Sequence, residues 1–168
     1  MPEPPPRQPP SGGAPAEPLP DQPEPWTAQP DSGLPRAPAG EQHSGELDEM
    51  VEELHVAWIP LEGGLRLVFD HPRQAIILEG AGRRLLVATY RELLSLRLKE
   101  ASIEGDIKSH CSSTLVLLGK SGPLLKVHQA YRVYDEPGPS WEVPRNIEQN
   151  CQTLARLLGR PLSQQQTR

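Results

Sequence analysis

Proline is distributed so unevenly along the chain that it divides the sequence into two unlike parts. Of the 21 prolines in 168 residues, 14 lie in residues 1–40. That stretch holds few bulky apolar side chains, so burial could not offset the entropy lost on ordering it. We therefore predict a disordered, Pro-rich acidic arm over residues 1–46, a folded domain over 47–162 and a disordered tail over 163–168.

Charge follows the same division. Residues 1–50 carry nine acidic and two basic residues, a net charge of −7, whereas residues 51–168 have a net charge of +2. Domains that bind nucleic acid present a strong positive field, which this composition does not supply. We therefore expect no nucleic-acid partner.

Cysteine usage and hydropathy exclude several further classes. The two cysteines, Cys111 and Cys151, form neither a disulfide framework nor the spacing of zinc ligands. The sequence has no apolar run long enough to span a membrane, and its first residues lack the apolar core of a signal peptide, so we expect neither element. We predict a cytoplasmic protein with no transmembrane segment, no metal and no cofactor.

Short runs of alternating apolar and polar residues indicate β-strands, because successive side chains of a strand point to opposite faces. In the clearest run, Leu94, Leu96 and Leu98 are predicted to share the buried face. Turn residues separate the runs at intervals of about ten residues, which favours antiparallel hairpins. The seven predicted strands are Leu54–Ile59, Leu65–Asp70, Gln74–Glu79, Arg84–Tyr90, Leu93–Lys99, Ser113–Leu118 and Leu124–His128.

The remaining segments of the domain have other patterns. The stripe of Leu47, Met50, Val51 and Leu54 favours a short helical turn, with the lead-in to a strand as the alternative, and the polar residues Glu100–Ser112 predict a long loop. Apolar residues near the C-terminus recur with the period of an amphipathic helix, which Pro144 would begin and Gly159 would end. The stripe comprises Ile147, Cys151, Leu154, Ala155 and Leu158.

Together these elements predict a mainly β fold with a C-terminal helix. A sheet of seven antiparallel strands must bury one face, so we expect it to bend into a barrel or half-barrel that the helix caps at one open end. Two glycine-containing segments, Gly80–Gly82 and Gly119–Ser121, lack the full phosphate-binding patterns, and we predict hairpin turns at both.

The order of seven strands and a closing helix over residues 54–162 resembles pleckstrin-homology-like (PH-like) domains. Leu67–Arg73, Ile76–Leu78, Leu93–Leu98 and the helix Ile147–Leu158 are also similar to the soluble parts of small membrane-complex assembly and auxiliary proteins. These are the photosystem I assembly factor, the phagocyte cytochrome b chaperone and an auxiliary subunit of the sperm cation channel. In them the domain follows a pair of membrane helices, whereas here a Pro-rich arm precedes it. The resemblance implies a PH-like fold and an accessory role, and it transfers no functional residue.

The sequence offers little for catalysis. Cys111 is adjacent to His110, but a cysteine nucleophile needs a base oriented towards its sulfur, and neighbouring residues seldom provide one. Cys151 lies on the apolar stripe of the helix and is predicted to be a core residue. We therefore predict a protein that is not an enzyme. A hydrolase is the alternative if Cys111 lies within hydrogen-bond reach of a histidine and a carboxylate.

The remaining function class is protein interaction. We expect a non-enzymatic module that acts as a scaffold, accessory or assembly subunit of a larger complex, with a membrane complex among the candidates. The spacing from Pro6 to Pro9, with Arg7 between them, suits an SH3-type reader of the arm. The predicted contact residues are Pro6, Arg7, Pro9, Trp141 and the segment Glu100–Ser112. For Trp141 the alternative is packing against the barrel as a hinge for the helix.

An alternative function is peripheral membrane binding through phosphoinositide headgroups. In PH domains the phosphates usually bind to basic residues in the first loop between strands. The resemblance places that loop at Pro60–Gly64, which contains Glu62 and no cation. The predicted lipid-binding residues are therefore Arg66, Arg73, Arg83 and Arg84.

Overall fold

The computed structural model describes residue 1 and residues 33–103, 108–134 and 145–167 of the chain. One helix, α1 (Arg145–Leu158), lies near the C-terminus, and a 3-10 turn spans Glu62–Gly64. The strands are β1 (Glu41–Ser44), β2 (Val51–Glu53), β3 (Val56–Leu61), β4 (Leu65–Asp70), β5 (Ala75–Gly80), β6 (Arg83–Thr89), β7 (Leu93–Ile103), β8 (Lys108–Gly119), β9 (Gly122–Tyr134) and β10 (Leu162–Thr167). The prediction of a mainly β fold with a C-terminal helix is confirmed.

The strands form two five-stranded sheets rather than a closed barrel, which corrects the prediction of one bent antiparallel sheet. Sheet A is an antiparallel meander in the order β2-β3-β4-β5-β6. Sheet B has the order β1-β9-β8-β7-β10, and its outer strands β1 and β10 run parallel to β9 and β7. The barrel does not close because these two added strands occupy the edges that closure would use.

One core joins the two sheets and the helix. It contains Leu67 and Phe69 from sheet A, Leu98 and Leu115 from sheet B, and the whole buried stripe of α1. Four residues of the predicted stripe, Ile147, Cys151, Leu154 and Leu158, are buried, and the fifth, Ala155, is half-buried and packs against the same core.

The predicted helix end is also confirmed. Gly159 has a φ of +59°, and the N–H of Arg160 donates to the C=O of Ala155 at 3.0 Å. This geometry is the Schellman cap, which glycine adopts without the steric cost that a Cβ brings. Both predicted hairpin turns are present as well, between β5 and β6 and between β8 and β9. At the first, Ala81 and Gly82 both have positive φ, as in a type I′ turn.

In the segment predicted as a helical turn or the lead-in to a strand, the second alternative holds: a turn is followed by the strand β2. Leu47 is buried in the core, and its N–H donates to the side-chain oxygen of Gln129. Leu54 and His55 have positive φ and connect β2 to β3 as a tight hairpin. Strand pairing with β3 therefore prevails over the helical stripe.

Two segments predicted to lack strands are parts of sheet B. The predicted loop Glu100–Ser112 belongs to the hairpin of β7 and β8, which pair as far as Ile103 and His110. The predicted disordered tail is strand β10, which pairs with β7 from Leu162 to Thr167. Both segments are polar because much of their side-chain surface faces solvent, and a strand held by backbone hydrogen bonds does not require an apolar pattern.

The last part of the predicted disordered arm is also ordered. Residues 35–37 pair with Leu86 at the edge of sheet A, and β1 pairs with β9 in sheet B. Leu34 packs against a small apolar cluster on the outer side of sheet A. The structure therefore corrects the boundary at residue 46, because sheet edges supply unpaired backbone groups that this segment can bond.

Candidate binding face on the second sheet

Strand alternation gives sheet B two chemically distinct faces. On β7, Leu96 and Leu98 point into the core, so Arg97 and Lys99 project from the opposite face. On β9, Val127 is buried, so Lys126, His128 and Arg132 project from the same outward face. We call this the basic face, defined by Arg97, Lys99, Lys126 and Arg132.

The register of the strands brings the cations close together across β8. Arg97 pairs with Val116, which pairs with Lys126, so two cations flank one valine. In the next row, Lys99 pairs with Thr114, whose hydroxyl lies 2.8 Å from Nδ1 of His128. Val116 is only 4% exposed although it lies on the outward face. Long cationic side chains that lie along apolar surface cover such a residue while their charged ends stay in water.

Over the residues that the structure describes, the basic face carries no carboxylate. Among the described residues of sheet B, no Asp or Glu projects from it, and its four cations have no ion-pair partner. Other arginines of the chain differ. Arg36 binds Glu92 at 2.8 Å, and Arg66 and Arg84 share Glu79. Cations without a described acidic neighbour raise the local positive potential of this face.

A shallow hollow of about 320 Å³ lies in the middle of the basic face. Its floor is made by β8, and cations stand on both sides of it. The lining residues are Gln42, Arg97, Lys99, Thr114, Val116, Leu118, Pro123 and Lys126. This set provides positive charge, a hydroxyl and an amide, which together suit a carboxylate or another anionic group.

Strand β10 borders the basic face, and no described strand pairs with its outer edge, which we call the free edge. The N–H of Leu96 donates to the C=O of Pro161 at 2.9 Å, which fixes how β10 is rotated against β7. In a parallel pair, residues that bond the neighbour alternate with residues whose N–H and C=O point away. Ser163 and Gln165 therefore bond β7, whereas Leu162, Gln164 and Gln166 present their backbone groups on the open side.

Side-chain hydrogen bonds hold β10 on its inward face. The amide of Gln166 donates to Oε2 of Glu100 at 3.1 Å, and the amide of Gln164 donates to Oε1 of Glu148 on α1 at 2.9 Å. Glu100 is buried, and that burial raises the pKa of its carboxyl, with a further rise from Glu148 and an opposing effect of the Gln166 bond. A buried carboxylate thus anchors the edge strand at an energetic cost.

We expect Glu100→Gln to raise the unfolding midpoint at neutral pH. A carboxyl whose pKa is higher in the folded state stabilises the fold only while it is protonated, so its contribution falls as the pH rises from the ordinary value of 4.5 through the raised value. A glutamine stays neutral and still accepts the bond from Gln166. Thermal unfolding at several pH values should show a higher melting temperature for the variant than for the parent chain, and this difference should shrink towards acid pH.

The matched control for this prediction is Glu62→Gln, which changes an exposed carboxylate in the 3-10 turn. That substitution should leave the difference in melting temperature between acid and neutral pH almost unchanged. A Glu100→Gln variant that melts at or below the temperature of the parent chain at neutral pH would contradict the predicted penalty.

The four arginines predicted to bind lipid do not form one site. Arg66 and Arg84 lie at the end of sheet A near the β5–β6 turn, where both contact Glu79, and Arg66 also stacks on Trp58. Arg83 is exposed beside them, and Arg73 lies at the opposite end of the strands, bonded to Asp70 at 2.7 Å. Phosphoinositide binding through these four residues therefore stays a prediction, and they would have to act from two separate places on sheet A.

The other predicted contact residues are only partly described. Pro6, Arg7, Pro9 and Trp141 lie outside the residues that the structure describes. The segment Glu100–Ser112, predicted as a contact loop, is described over residues 100–103 and 108–112, where it forms the far end of the β7–β8 hairpin.

The two cysteines occupy strand and core positions. Sγ of Cys111 lies 3.8 Å from the hydroxyl of Ser102, and the neighbouring His110 projects from the other face of β8. Cys151 is buried in the core as predicted, and burial raises its thiol pKa to about 12. Such a thiol stays protonated at neutral pH, and the thiolate is the nucleophilic form.

Sequence reasoning missed the basic face. The alternation of Leu96, Arg97, Leu98 and Lys99 places the first two cations on one face and was visible in the sequence. Adding Lys126 and Arg132 to that face requires the register of β8 against β9, which includes a shift between Leu117 and Leu118. Such a shift leaves no mark in a single sequence.

Over the described ranges, no group of three or more metal-binding side chains is present, and no helix is both long and apolar enough to cross a membrane. Comparison with known proteins finds no significant match among protein-family models, curated proteins or solved structures. The similarity to PH-like domains and to the assembly proteins therefore stays a prediction.

Proposed function

We propose that this chain is a non-enzymatic protein-interaction module whose basic face binds an acidic segment of a partner protein. The observation that supports this most is the set of four cations, Arg97, Lys99, Lys126 and Arg132, on a face without a described carboxylate. Complementary charge steers association and suppresses wrong partners. A partner segment with several Asp or Glu residues would neutralise these cations.

A short acidic segment fits this charge distribution better than a large polyanion does. The whole chain has a net charge of −5, and residues 1–50 alone have −7. Charges are screened beyond about 8 Å at physiological ionic strength. A segment that lies on the basic face therefore meets mainly the local cations, whereas a nucleic acid or a membrane surface would also meet the acidic remainder of the chain.

Reversible binding of an acidic segment is what a scaffold, accessory or assembly subunit needs. Such a subunit holds a partner in place and leaves its covalent structure unchanged. The proposal thus agrees with the role that the resemblance to assembly and auxiliary proteins implies, and it moves the contact from the arm to the second sheet.

We expect the double substitution Arg97→Glu with Lys99→Glu to weaken binding of a fluorescent, glutamate-rich peptide by at least about tenfold, because two attractions become repulsions. Fluorescence anisotropy measures this loss, and binding to the parent chain should weaken as salt is raised. The matched control is Arg83→Glu with Arg91→Glu, which makes the same charge change at two exposed positions outside the basic face.

Equal losses of peptide affinity in the control and in the Arg97→Glu, Lys99→Glu variant would show that only net charge matters, and this result would overturn the proposal. Unchanged binding in the Arg97→Glu, Lys99→Glu variant would do the same. Both variants should melt within a few degrees of the parent chain, because surface substitutions usually change stability by less than about 0.5 kcal/mol.

The alternative proposal, phosphoinositide binding, is tested with the Arg97→Glu, Lys99→Glu variant and with one further variant, Arg83→Glu with Arg84→Glu. Vesicles that contain a phosphoinositide would separate the two functions. Salt-sensitive binding that survives in the Arg97→Glu, Lys99→Glu variant and disappears in Arg83→Glu with Arg84→Glu would favour the lipid function. The geometry supports it less, because Arg66, Arg73 and Arg84 already contact acidic residues.

A further inference from the structure

We infer that the acidic partner binds as an extended strand added to the free edge of β10, with acidic residues at every second position facing Arg97 and Lys99. This inference rests on the proposed function and adds the conformation and residue pattern of the partner. In strand addition, main-chain hydrogen bonds supply affinity, and alternate side chains supply specificity.

The edge of β10 is suited to this role and is unlike the other sheet edges. Residues 35–37 cover the β6 edge, β2 has only three residues with Glu52 and Glu53 among them, and β1 has only four. By contrast, β10 has six residues, five of them exposed, and it contains neither charge nor proline. Exposed edges usually carry such features to prevent pairing, so an edge without them is open to a partner strand.

The basic face lies within reach of such a strand. Ser163 pairs with Arg97 and Gln165 pairs with Lys99, so β10 presents two short polar side chains beside the two cations. An added strand would lie two strand spacings, about 9.6 Å, from β7. A glutamate and a long basic side chain that reach towards each other span that distance. Arg97 and Lys99 are two residues apart, which matches the spacing of outward side chains on the added strand.

The inward face of β10 sets the other half of the pattern. Gln164 and Gln166 point inward, where they bind the carboxylates of Glu148 and Glu100. On an added strand, the side chains that point inward would lie beside Gln164 and Gln166, next to this negative charge. Acidic residues are therefore disfavoured there, and the expected partner alternates acidic outward residues with uncharged inward ones.

The test uses two labelled peptides of identical composition, glutamate with threonine and valine. In one the glutamates alternate with the other residues, and in the other they form a single block. With the full chain, we expect the alternating peptide to bind roughly three to thirty times more tightly, as two correctly placed exposed ion pairs would give. Equal affinities would overturn the inference, whereas they would leave the proposed function intact if Arg97→Glu with Lys99→Glu still weakens both peptides.

Two substitutions at one position test the backbone contact. Gln164→Pro removes an N–H that faces the open edge and keeps the bonds to β7, as proline permits on an edge strand. Gln164→Ala loses the same side chain and keeps the N–H. We expect the proline variant to bind the alternating peptide at least about tenfold more weakly than the alanine variant. Equal binding by the two variants would overturn strand addition, provided that their melting temperatures agree.

Lys126 supplies a third measurement. It lies on β9, four strand spacings or about 19 Å from the added strand, beyond the reach of an ion pair. Lys126→Glu should therefore weaken the alternating peptide much less than Arg97→Glu does. An equal or larger loss at Lys126 would place the peptide over the centre of the basic face and would overturn binding at the β10 edge.

Discussion

Replacing Leu93 with alanine should lower the free energy of unfolding by about 2–5 kcal/mol, whereas the same change at Leu94 should cost less than about 1 kcal/mol. Leu93 is fully buried, and Leu94 is 47% exposed. The two residues are neighbours on β7, so the variants differ only in which side of the sheet loses its side chain.

The cause of this contrast is a bulge at the start of β7. Leu93 pairs with Gly119 and Ser95 pairs with Leu118, so Leu94 is an extra residue on β7. The bulge turns Leu93 into the core and Leu94 towards solvent, while Leu96 and Leu98 keep their buried positions. Removing a buried leucine costs its transfer free energy and leaves a cavity that the neighbours fill only in part.

Denaturant unfolding of the two variants measures the difference, since the midpoint shifts at constant slope when only stability changes. The reverse order of effects, with Leu94→Ala the more damaging, would show that strict alternation holds through Leu94 and that the bulge is absent. The sequence pattern alone predicts that reverse order, because Leu94, Leu96 and Leu98 are evenly spaced.

This bulge illustrates what the sequence could and could not provide. Periodicity located most strands and the helix α1, because the burial of Leu96, Leu98, Ile147 and Leu154 repeats with the period of its element. Bulges and register depend on which strands meet. Two neighbouring sheets and one bent sheet have the same alternation, so the pattern could not distinguish them.

The polar elements escaped prediction for a different physical reason. Strand β10 consists of Leu162 followed by Ser163, three glutamines and Thr167, and its backbone bonds to β7 hold it in place. Its side chains contribute through Glu100 and Glu148, partners that lie more than a dozen residues away in sequence. Neither contact is visible before the fold is known, so composition alone suggested a disordered tail.

The candidate site combines both kinds of feature. Alternation could have placed Arg97 and Lys99 on one outward face, since their neighbours Leu96 and Leu98 are strongly apolar. The tertiary structure adds the free edge of β10. It also shows that Arg66 and Arg84 share the carboxylate of Glu79 and that Arg73 contacts Asp70. Counting cations along the sequence favoured Arg66, Arg73 and Arg84. The absence of described acidic neighbours favours Arg97 and Lys99 instead.

Replacing Gly45 with valine should destabilise the fold by more than about 3 kcal/mol, because overpacking by even one or two carbons costs about 1–3 kcal/mol. Gly45 is buried where the chain passes from sheet B to sheet A. Its N–H donates to the C=O of His128 at 2.9 Å, and the next N–H, of Glu46, donates to the C=O of Pro60 at 2.9 Å. A side chain here must fit between the two sheets.

The space at Gly45 does not admit a Cβ. Such an atom would lie 2.5 Å from Cδ2 of Leu61, 2.8 Å from Cγ1 of Val127 and 2.9 Å from the carbonyl oxygen of Pro60. The leucine methyl can rotate, but a β-branched valine is stiff at χ1, and the carbonyl belongs to a backbone that already bonds Glu46. Relief therefore requires the sheets to separate or the crossing segment to detach.

Gly33→Val is the matched control, since a Cβ at Gly33 would meet no atom within 4 Å. We expect it to change the free energy of unfolding by less than about 0.5 kcal/mol. Denaturant unfolding of both variants decides between two views of residues 33–46. If this segment were disordered, as its composition suggests, both valines would be harmless. A large loss of unfolding free energy in Gly45→Val alone would show that the end of the Pro-rich arm is part of the fold and packs between the two sheets.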